Sequence, residues 1–162
     1  MDPNRFTEKA LEALQAAQRL AAKMQHQAVD AEHLLLAMLD QEQGLAPAIL
    51  TKAEVPVDAL KVKVHRELDK VPRVSGGSDQ TGITSRLNRL LGQAEDEAKK
   101  LKDDYLSVEH FLLALLDDSG TAGKILKEFG LNRARLMSAL QSVRGHQRVT
   151  SPTPEVTYQA LE

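Results

Sequence analysis

Glu32-His33-Leu34-Leu35-Leu36-Ala37-Met38-Leu39-Asp40 and Glu109-His110-Phe111-Leu112-Leu113-Ala114-Leu115-Leu116-Asp117 are two versions of one nonapeptide, 77 positions apart. With that shift, residues 6–40 lie over 83–117 without a gap, and Thr7 falls on Thr84. After a one-residue deletion the correspondence continues, with Ile49-Leu50 on Ile125-Leu126 and Leu60 and Val64 on Leu136 and Leu140. Beyond its first turn each nonapeptide is apolar nearly all round, as suits a helix at the centre of a bundle. The chain reads as a duplicated unit with one greasy central helix per copy.

The stretches ahead of the nonapeptides repeat as well. Phe6, Ala10, Leu14, Ala17, Ala21 and Met24 advance by 4, 4, 3, 4 and 3 residues, and Ile83, Leu87, Leu91, Ala94, Ala98 and Leu101 take the same steps. This is one stripe on a 3.6-residue period, the mark of an amphipathic helix. Each half predicts four helices, at about 5–24, 31–41, 46–53 and 57–70, then about 84–102, 108–117, 121–129 and 132–144. Asp30 and Ser107 stand where an N-cap oxygen is wanted, Pro47 suits a first helical turn, and Pro56 and Pro72 bracket the fourth helix. Gly130 suits a C′ position, with Asn132 capping the next helix. No stretch alternates with period two strongly enough to predict a strand. The expected architecture is all-α, an eight-helix bundle built from two four-helix pseudo-symmetric repeats. Its domain covers residues 1–144: repeat one at about 5–71, a Ser75-Gly76-Gly77-Ser78 joint within 71–83, and repeat two at about 84–144. Residues 145–162, polar and carrying Pro152 and Pro154, read as a linker toward a further module.

Composition narrows the function classes. The 162 residues carry 21 Lys and Arg against 23 Asp and Glu, a net charge of −2, which excludes a strongly basic nucleic-acid binder. The five aromatic residues, Phe6, Tyr105, Phe111, Phe129 and Tyr158, leave few rings for stacking on single strands. With no cysteine there is no disulfide, thiol nucleophile or thiolate metal site, which suits a cytoplasmic location. The longest apolar runs, Leu34–Leu39 and Phe111–Leu116, are far short of the roughly 20 residues that span a bilayer.

Residues that could carry chemistry are few. The Ser75-Gly76-Gly77-Ser78 stretch lacks the following Lys and the strand-to-helix setting of a phosphate loop. Neighbours on a helix point about 100° apart, so Glu32 with His33, or Glu109 with His110, make poor joint metal ligands. No His pair at i and i+4 is present, so no metal site is expected, and His33 and His110 are expected to hydrogen-bond locally in the first helical turn. Glu32 and Glu109 carry two readings. They can favour the positive ends of their helices by about 0.3–1 kcal/mol, or offer carboxylates to a cationic or peptide ligand. Glu95-Asp96-Glu97 with Lys99-Lys100 reads as a solvated charged face. No nucleophile elbow or Ser–His–acid set can be assigned, so no catalytic residue is expected.

The doubled Glu-His-hydrophobic-Leu-Leu-Ala motif, with Phe6-Thr7-Glu8-Lys9-Ala10 at the start, resembles the Clp amino-terminal repeat family over about 5–144. Lys70-Val71-Pro72-Arg73-Val74-Ser75-Gly76 and Thr157-Tyr158-Gln159-Ala160-Leu161 resemble its ClpB-type disaggregase branch. The resemblance implies a mobile N-terminal domain that captures exposed apolar segments of unfolded or aggregated polypeptides. It would pass them to the central pore of a homohexameric AAA+ ATPase. ATP and Mg²⁺ would act in modules beyond this chain, with an Hsp70-type chaperone system as a further partner of the parent. It also implies substrate-handling roles for Thr7, Asp103 and Glu109. The family's groove is expected to be apolar at positions that here hold Gln93, Glu97 and His110, a departure from the pattern. The competing reading is the adaptor-docking or degron-reading kind of Clp protease ATPase, where Glu32 and Glu109 would contact a phosphoarginine guanidinium. A free-standing repeat protein and a metal-dependent enzyme are the remaining alternatives.

Overall fold

The computed structural model describes residues 3–74, 82–145, 149–150 and 152. The Ser75-Gly76-Gly77-Ser78 joint lies outside them, as does most of the expected 145–162 linker. After a 3-10 turn at Pro3–Arg5, the described residues form α1 (Glu8–Lys23), α2 (Ala31–Leu39), α3 (Leu45–Lys52), α4 (Val57–Asp69), α5 (Ser85–Lys100), α6 (Val108–Leu116), α7 (Thr121–Glu128) and α8 (Arg133–Arg144). Every residue of α2 and of α6 is buried, and the two helices touch each other. Their all-round apolarity leaves them no solvated face, so the remaining helices wrap them. The wrapping exchanges partners between repeats, with α3 packed on α8 and α4 on α7.

The expectation of no strand is corrected in a small way. β1 (Ala28–Val29) and β2 (Gly82–Ile83) pair in parallel, Val29 opposite Ile83, and Phe6 forms a parallel bridge to Leu106. Phe6 and Ile83 are 77 apart, and so are Val29 and Leu106, so this is one joint made twice. The Thr7 N–H donates to the Leu106 carbonyl at 3.0 Å, and the Thr84 N–H to the Val29 carbonyl at 3.0 Å. A two-residue strand is too short to show an alternating pattern, which is why the sequence hid it. Its effect is large for its size: the entry segment of each repeat is stitched to the other, so neither four-helix half is closed alone.

The helix ends repeat too. α1 and α5 both finish in a Schellman motif: His26 N–H donates to Ala21 O and Asp103 N–H to Ala98 O, each at 2.9 Å. The C′ residues, Gln25 and Lys102, take φ of 60° and 58°. At the end of α3 the residue is Glu54 (φ 65°), whereas its mate after α7 is Gly130 (φ 87°), the residue that adopts this region without a Cβ penalty. Lys102 is exposed, so Lys102→Gly is expected to stabilise the fold by about 1 kcal/mol. That should raise the thermal midpoint by roughly 2–4 °C in a chain of this size. A lowered midpoint would mean that the Lys102 side chain contributes more than its backbone costs.

Residues of the expected linker return to the domain. Val149 is fully buried, its N–H donates to Asp103 Oδ1 at 2.8 Å, and its carbonyl accepts from Asp104 N–H at 2.7 Å. The Pro152 carbonyl accepts the Glu8 N–H at 2.8 Å, serving one of the free donors at the start of α1. The domain therefore extends past residue 144, because the polar pattern of 145–152 concealed backbone groups that pair with the ends of α1 and α5.

Candidate functional site

The Schellman turns fix the polar centre of each repeat. They place the C″ residue, His26 or Asp103, under the first turn of the next helix, where it meets the His seven positions on. His26 Nδ1 lies 2.7 Å from His33 Nε2, and Asp103 Oδ2 lies 2.7 Å from His110 Nε2. Each N3 histidine also reaches back to its cap: Asp30 N–H donates to His33 Nδ1 at 2.9 Å and Ser107 N–H to His110 Nδ1 at 2.8 Å. This is a capping box with imidazole in place of the usual Glu or Gln. Because Nδ1 accepts, Nε2–H is left to donate across to His26 or Asp103.

In repeat two, Asp103 and Glu109 share Arg144. Its Nη2 donates to Asp103 Oδ1 at 2.6 Å, while Nη1 donates to Asp103 Oδ2 at 3.0 Å and to Glu109 Oε2 at 3.1 Å. Ser107 Oγ donates to the other Glu109 oxygen. Burial alone would raise the Asp103 carboxyl, but donors on His110, Arg144 and Val149 outweigh it and hold the group below its ordinary value. Thr7, Asp103 and Glu109 are brought to one end of the molecule, where α1 begins and α5 turns into α6. All three are buried. Thr7 Oγ1 caps α1 by accepting the Ala10 N–H at 3.1 Å. The cleft beside Asp103, Phe6 and Tyr105 holds about 20 Å³, room for roughly one water and not for a peptide side chain.

The first repeat builds its acidic centre from a different arginine. Arg86, in the first turn of α5, donates to Asp118 Oδ1 at 2.9 Å and Oδ2 at 2.6 Å, to Asp30 Oδ2 at 3.2 Å and to both oxygens of Glu32. The Ala122 N–H adds 3.0 Å to Glu32 Oε2. The hydrogen bonds Arg86 donates to Asp118, then to Glu32, raise the guanidinium above its ordinary value against the cost of burial. Glu32 and Glu109, offered by the sequence as contacts for a guanidinium ligand, thus each already hold an arginine of the chain itself. An incoming guanidinium would have to displace it.

Glu97 corrects the reading of 95–100 as a solvated face. It is buried, and Arg133 grips it with bonds of 3.1 and 2.8 Å, which hold its carboxyl below its ordinary value despite burial. His110 is fully buried, so the positions matching the family's apolar groove hold an ion pair at Glu97 and a core hydrogen bond at His110. Open space lies elsewhere. Cavities of about 820 Å³ and about 580 Å³ sit beside α1, the α2–α3 connection and α3, and share Gln41 and Gln43. Sequence reasoning missed Arg86, Arg144, Asp118 and Gln41. A usable signal existed for one of them: Arg144 falls on Leu68 of repeat one, a charge at a position whose mate is core.

The His26–His33 pair sets a pH dependence. Burial first, then the neighbouring His26, lowers His33 from 6.5 to about 4. Protonation at Nδ1 would also set a donor against the Asp30 N–H. The unfolded chain binds this proton at higher pH than the folded one, so the contribution is complete above about 6.5 and is lost as pH falls toward about 4. A loss of as much as about 3 kcal/mol across that window is expected in urea titrations. His33→Gln keeps an N3 capping group and should flatten the loss; an unchanged slope in that variant would refute the assignment.

Among the described residues no cluster of three or more His, Asp or Glu has the arrangement to hold a metal ion, and no helix is long and apolar enough to cross a membrane. Comparison with known proteins completes the site. The chaperone protein ClpB of Nitratidesulfovibrio vulgaris is 45% identical over 167 residues, covering 100% of this chain and 19% of that protein. That of Bacillus anthracis is 44% identical over 165 residues, with the same shares. The chain thus spans about a fifth of the length of these curated relatives. Among solved structures, the Hsp104 N-terminal domain from Candida albicans superposes with a TM-score of 0.82 at 25% identity, covering 93% of this chain and 98% of that one. A ClpV N-domain solved in complex with a VipB peptide shares the fold at a TM-score of 0.67 and 21% identity, covering 85% of this chain and 86% of that one. The model of the Clp repeat (R) N-terminal domain matches residues 5–129, and with the doubled repeat and the relatives above it follows that the chain belongs to the Clp repeat N-terminal domain family.

Proposed function

We propose that this chain is the polypeptide-capturing front module of a ClpB-type disaggregase. The observation that carries the reading is the similarity of the whole chain, at 45% identity, to a fifth-length portion of ClpB chaperones. In this reading the domain holds exposed apolar segments of unfolded or aggregated polypeptides and delivers them to the pore of a homohexamer in the cytoplasm. ATP and Mg²⁺ act in the parent's ATPase modules, in cooperation with an Hsp70-type system. Capture is weak by design. Apolar burial gains about 25 cal/mol per Å², and ordering a flexible client offsets much of it. A site that must release its cargo needs no more. Thr7, Asp103 and Glu109 serve the function by holding the α1 start, the α5–α6 turn and α8 in one frame. The degron-reading alternative loses support because internal arginines fill both of its carboxylates.

The test is an NMR shift titration of this chain with a permanently unfolded, apolar-rich polypeptide and, separately, with its folded parent. Dose-dependent shifts with the unfolded form alone are expected, with dissociation constants in the micromolar range or weaker. Equal shifts with both forms, or none with either, would defeat the reading. Shifts at Glu32 and Glu109 on adding phosphoarginine would favour the degron reader instead.

A further inference from the structure

The outer face of α1 and the α2–α3 connection form the largest open space described above, about 820 Å³. Ala16 and Leu20, one turn apart, supply an apolar floor with Ala37, and Arg19 and Lys23 stand beside it. The repeat comparison makes this arrangement informative. Ala16, Arg19 and Leu20 fall on Gln93, Asp96 and Glu97 of repeat two, where Arg133 closes over Glu97. One face of a duplicated unit is thus polar, acidic and bridged; its mate has an apolar floor and stands open.

The open face is lined by the cations Lys9, Arg19 and Lys23 and the acids Glu12, Asp40 and Glu42, and not all of them are paired. Lys9 is tied to Glu12 at 3.6 Å and Asp40 to Lys61 at 3.4 Å. Among the described residues Arg19 and Lys23 have no ion pair, against one unpaired acid, Glu42, on the same wall. Gln41 stands at the junction with the second cavity and is nine-tenths buried. Its Nε2 donates to the Lys9 carbonyl at 3.0 Å, which fixes the amide orientation, and its Oε1 has no hydrogen-bond partner among the described residues. Its mate in repeat two, Asp118, is satisfied by Arg86. Buried acceptors are nearly always paired, so one left open beside a groove points to a donor that arrives with a ligand.

We propose that this groove in the first repeat binds an extended polypeptide segment presenting an apolar side chain next to a carboxylate. The apolar group seats on Ala16 and Leu20, the carboxylate pairs with Arg19 and Lys23, and a backbone N–H reaches Gln41 Oε1. The assignment rests on the polypeptide-capture reading and makes it specific: it names the face and the charge preference. Opposite charge steers encounter and sets preference more than it adds affinity, so the preference is greatest at low salt.

Fluorescence anisotropy with two labelled unstructured peptides tests it on the chain as it stands. One carries Leu-Asp and Phe-Glu pairs in a Gly/Ser background; the other replaces each acid by Lys. The acidic peptide is expected to bind about 10-fold more tightly at low ionic strength. Arg19→Glu, at an exposed position outside the core, should cancel that preference. Leu20→Glu, which gives repeat one the residue repeat two carries, should weaken both peptides by about 10-fold, with its helicity checked by circular dichroism. Asp96→Lys in repeat two should change neither. If the peptides bind the native chain but Arg19→Glu and Leu20→Glu leave both affinities unchanged, the groove is elsewhere and polypeptide capture stands. Equal affinity for the two peptides would overturn the charge assignment. If neither peptide nor any unfolded polypeptide binds the native chain, both readings fall.

Discussion

Arg144→Leu is expected to cost about 3–5 kcal/mol of folding stability at neutral pH, because it leaves two buried carboxylates without their cation. The side chains of Asp103 and Glu109 are 0% and 1% exposed, so water cannot replace the guanidinium. In a chain of this size the thermal midpoint should fall by roughly 10 °C or more. Leucine is the fair replacement, since Leu68 occupies the matching position in repeat one and is itself buried. Adding Asp103→Asn and Glu109→Gln to Arg144→Leu removes the stranded charges and should recover most of the loss, as neutralised buried networks generally do. The penalty should also shrink in acid, where a buried carboxyl need no longer be a buried charge. Urea unfolding at pH 7 and pH 4 measures all of this. A single variant within about 1 kcal/mol of the native chain at pH 7 would show that the network is tolerated and not stabilising.

Arg86→Leu is expected to cost about 2–4 kcal/mol and to open the joint between repeats first. Its guanidinium binds acids from three places: Asp30 at the cap of α2, Glu32 in the first turn of α2, and Asp118 after α6. Nearby, Thr84 Oγ1 donates to Asp30 Oδ1 at 2.9 Å, beside the Val29–Ile83 pairing. The smaller cost than at Arg144 follows from access: the Arg86 side chain is 25% exposed, so water can reach the acids it leaves. Hydrogen exchange should show early loss of protection at residues 29–34 and 82–87 while α8 stays protected. Arg86→Lys keeps the charge but loses the fork that holds Asp118 and Glu32 together, and should fall between the two. If exchange accelerates uniformly, Arg86 stabilises the fold as a whole and not the seam.

Asp103 and Asp118 place a second acid transition below the His33 window. Burial would raise both carboxyls, yet donors from His110 and Arg144 on the one, and from Arg86 on the other, hold them low. The folded forms therefore bind these protons less tightly than the unfolded chain, and the stability they contribute above about pH 4 is lost below it. Acid unfolding should accordingly have two steps, the first reduced by His33→Gln and the Asp103 share of the second removed by neutralising the Arg144 network, with the Asp118 share left in place.

The eight helices, the duplication and the buried status of α2 and α6 were legible in the chain because each depends on local periodicity. A 3.6-residue stripe or an all-apolar nonapeptide states which faces must leave water, wherever the rest of the molecule goes. The caps were legible for the same reason: Asp30, Ser107 and Asn132 serve N–H groups within three residues of themselves. The partners of the charged residues were not. Arg144 meets Asp103 across 41 residues, and Arg86 meets Glu32 across 54 and Asp118 across 32. No spacing rule links such pairs; they are chosen by which helix ends the packing brings together. The same holds for the two-residue stitch between repeats and for the return of Val149 onto Asp103. That this is a doubled all-α unit, and which helices lie at its centre, can be read from local periodicity alone. That Glu32, Glu97 and Glu109 hold arginines of the chain itself, and that the open groove lies on the first repeat, depends on how the helices pack. Burial is written in the chain residue by residue, whereas charge pairing at long range is a property of the assembled surface.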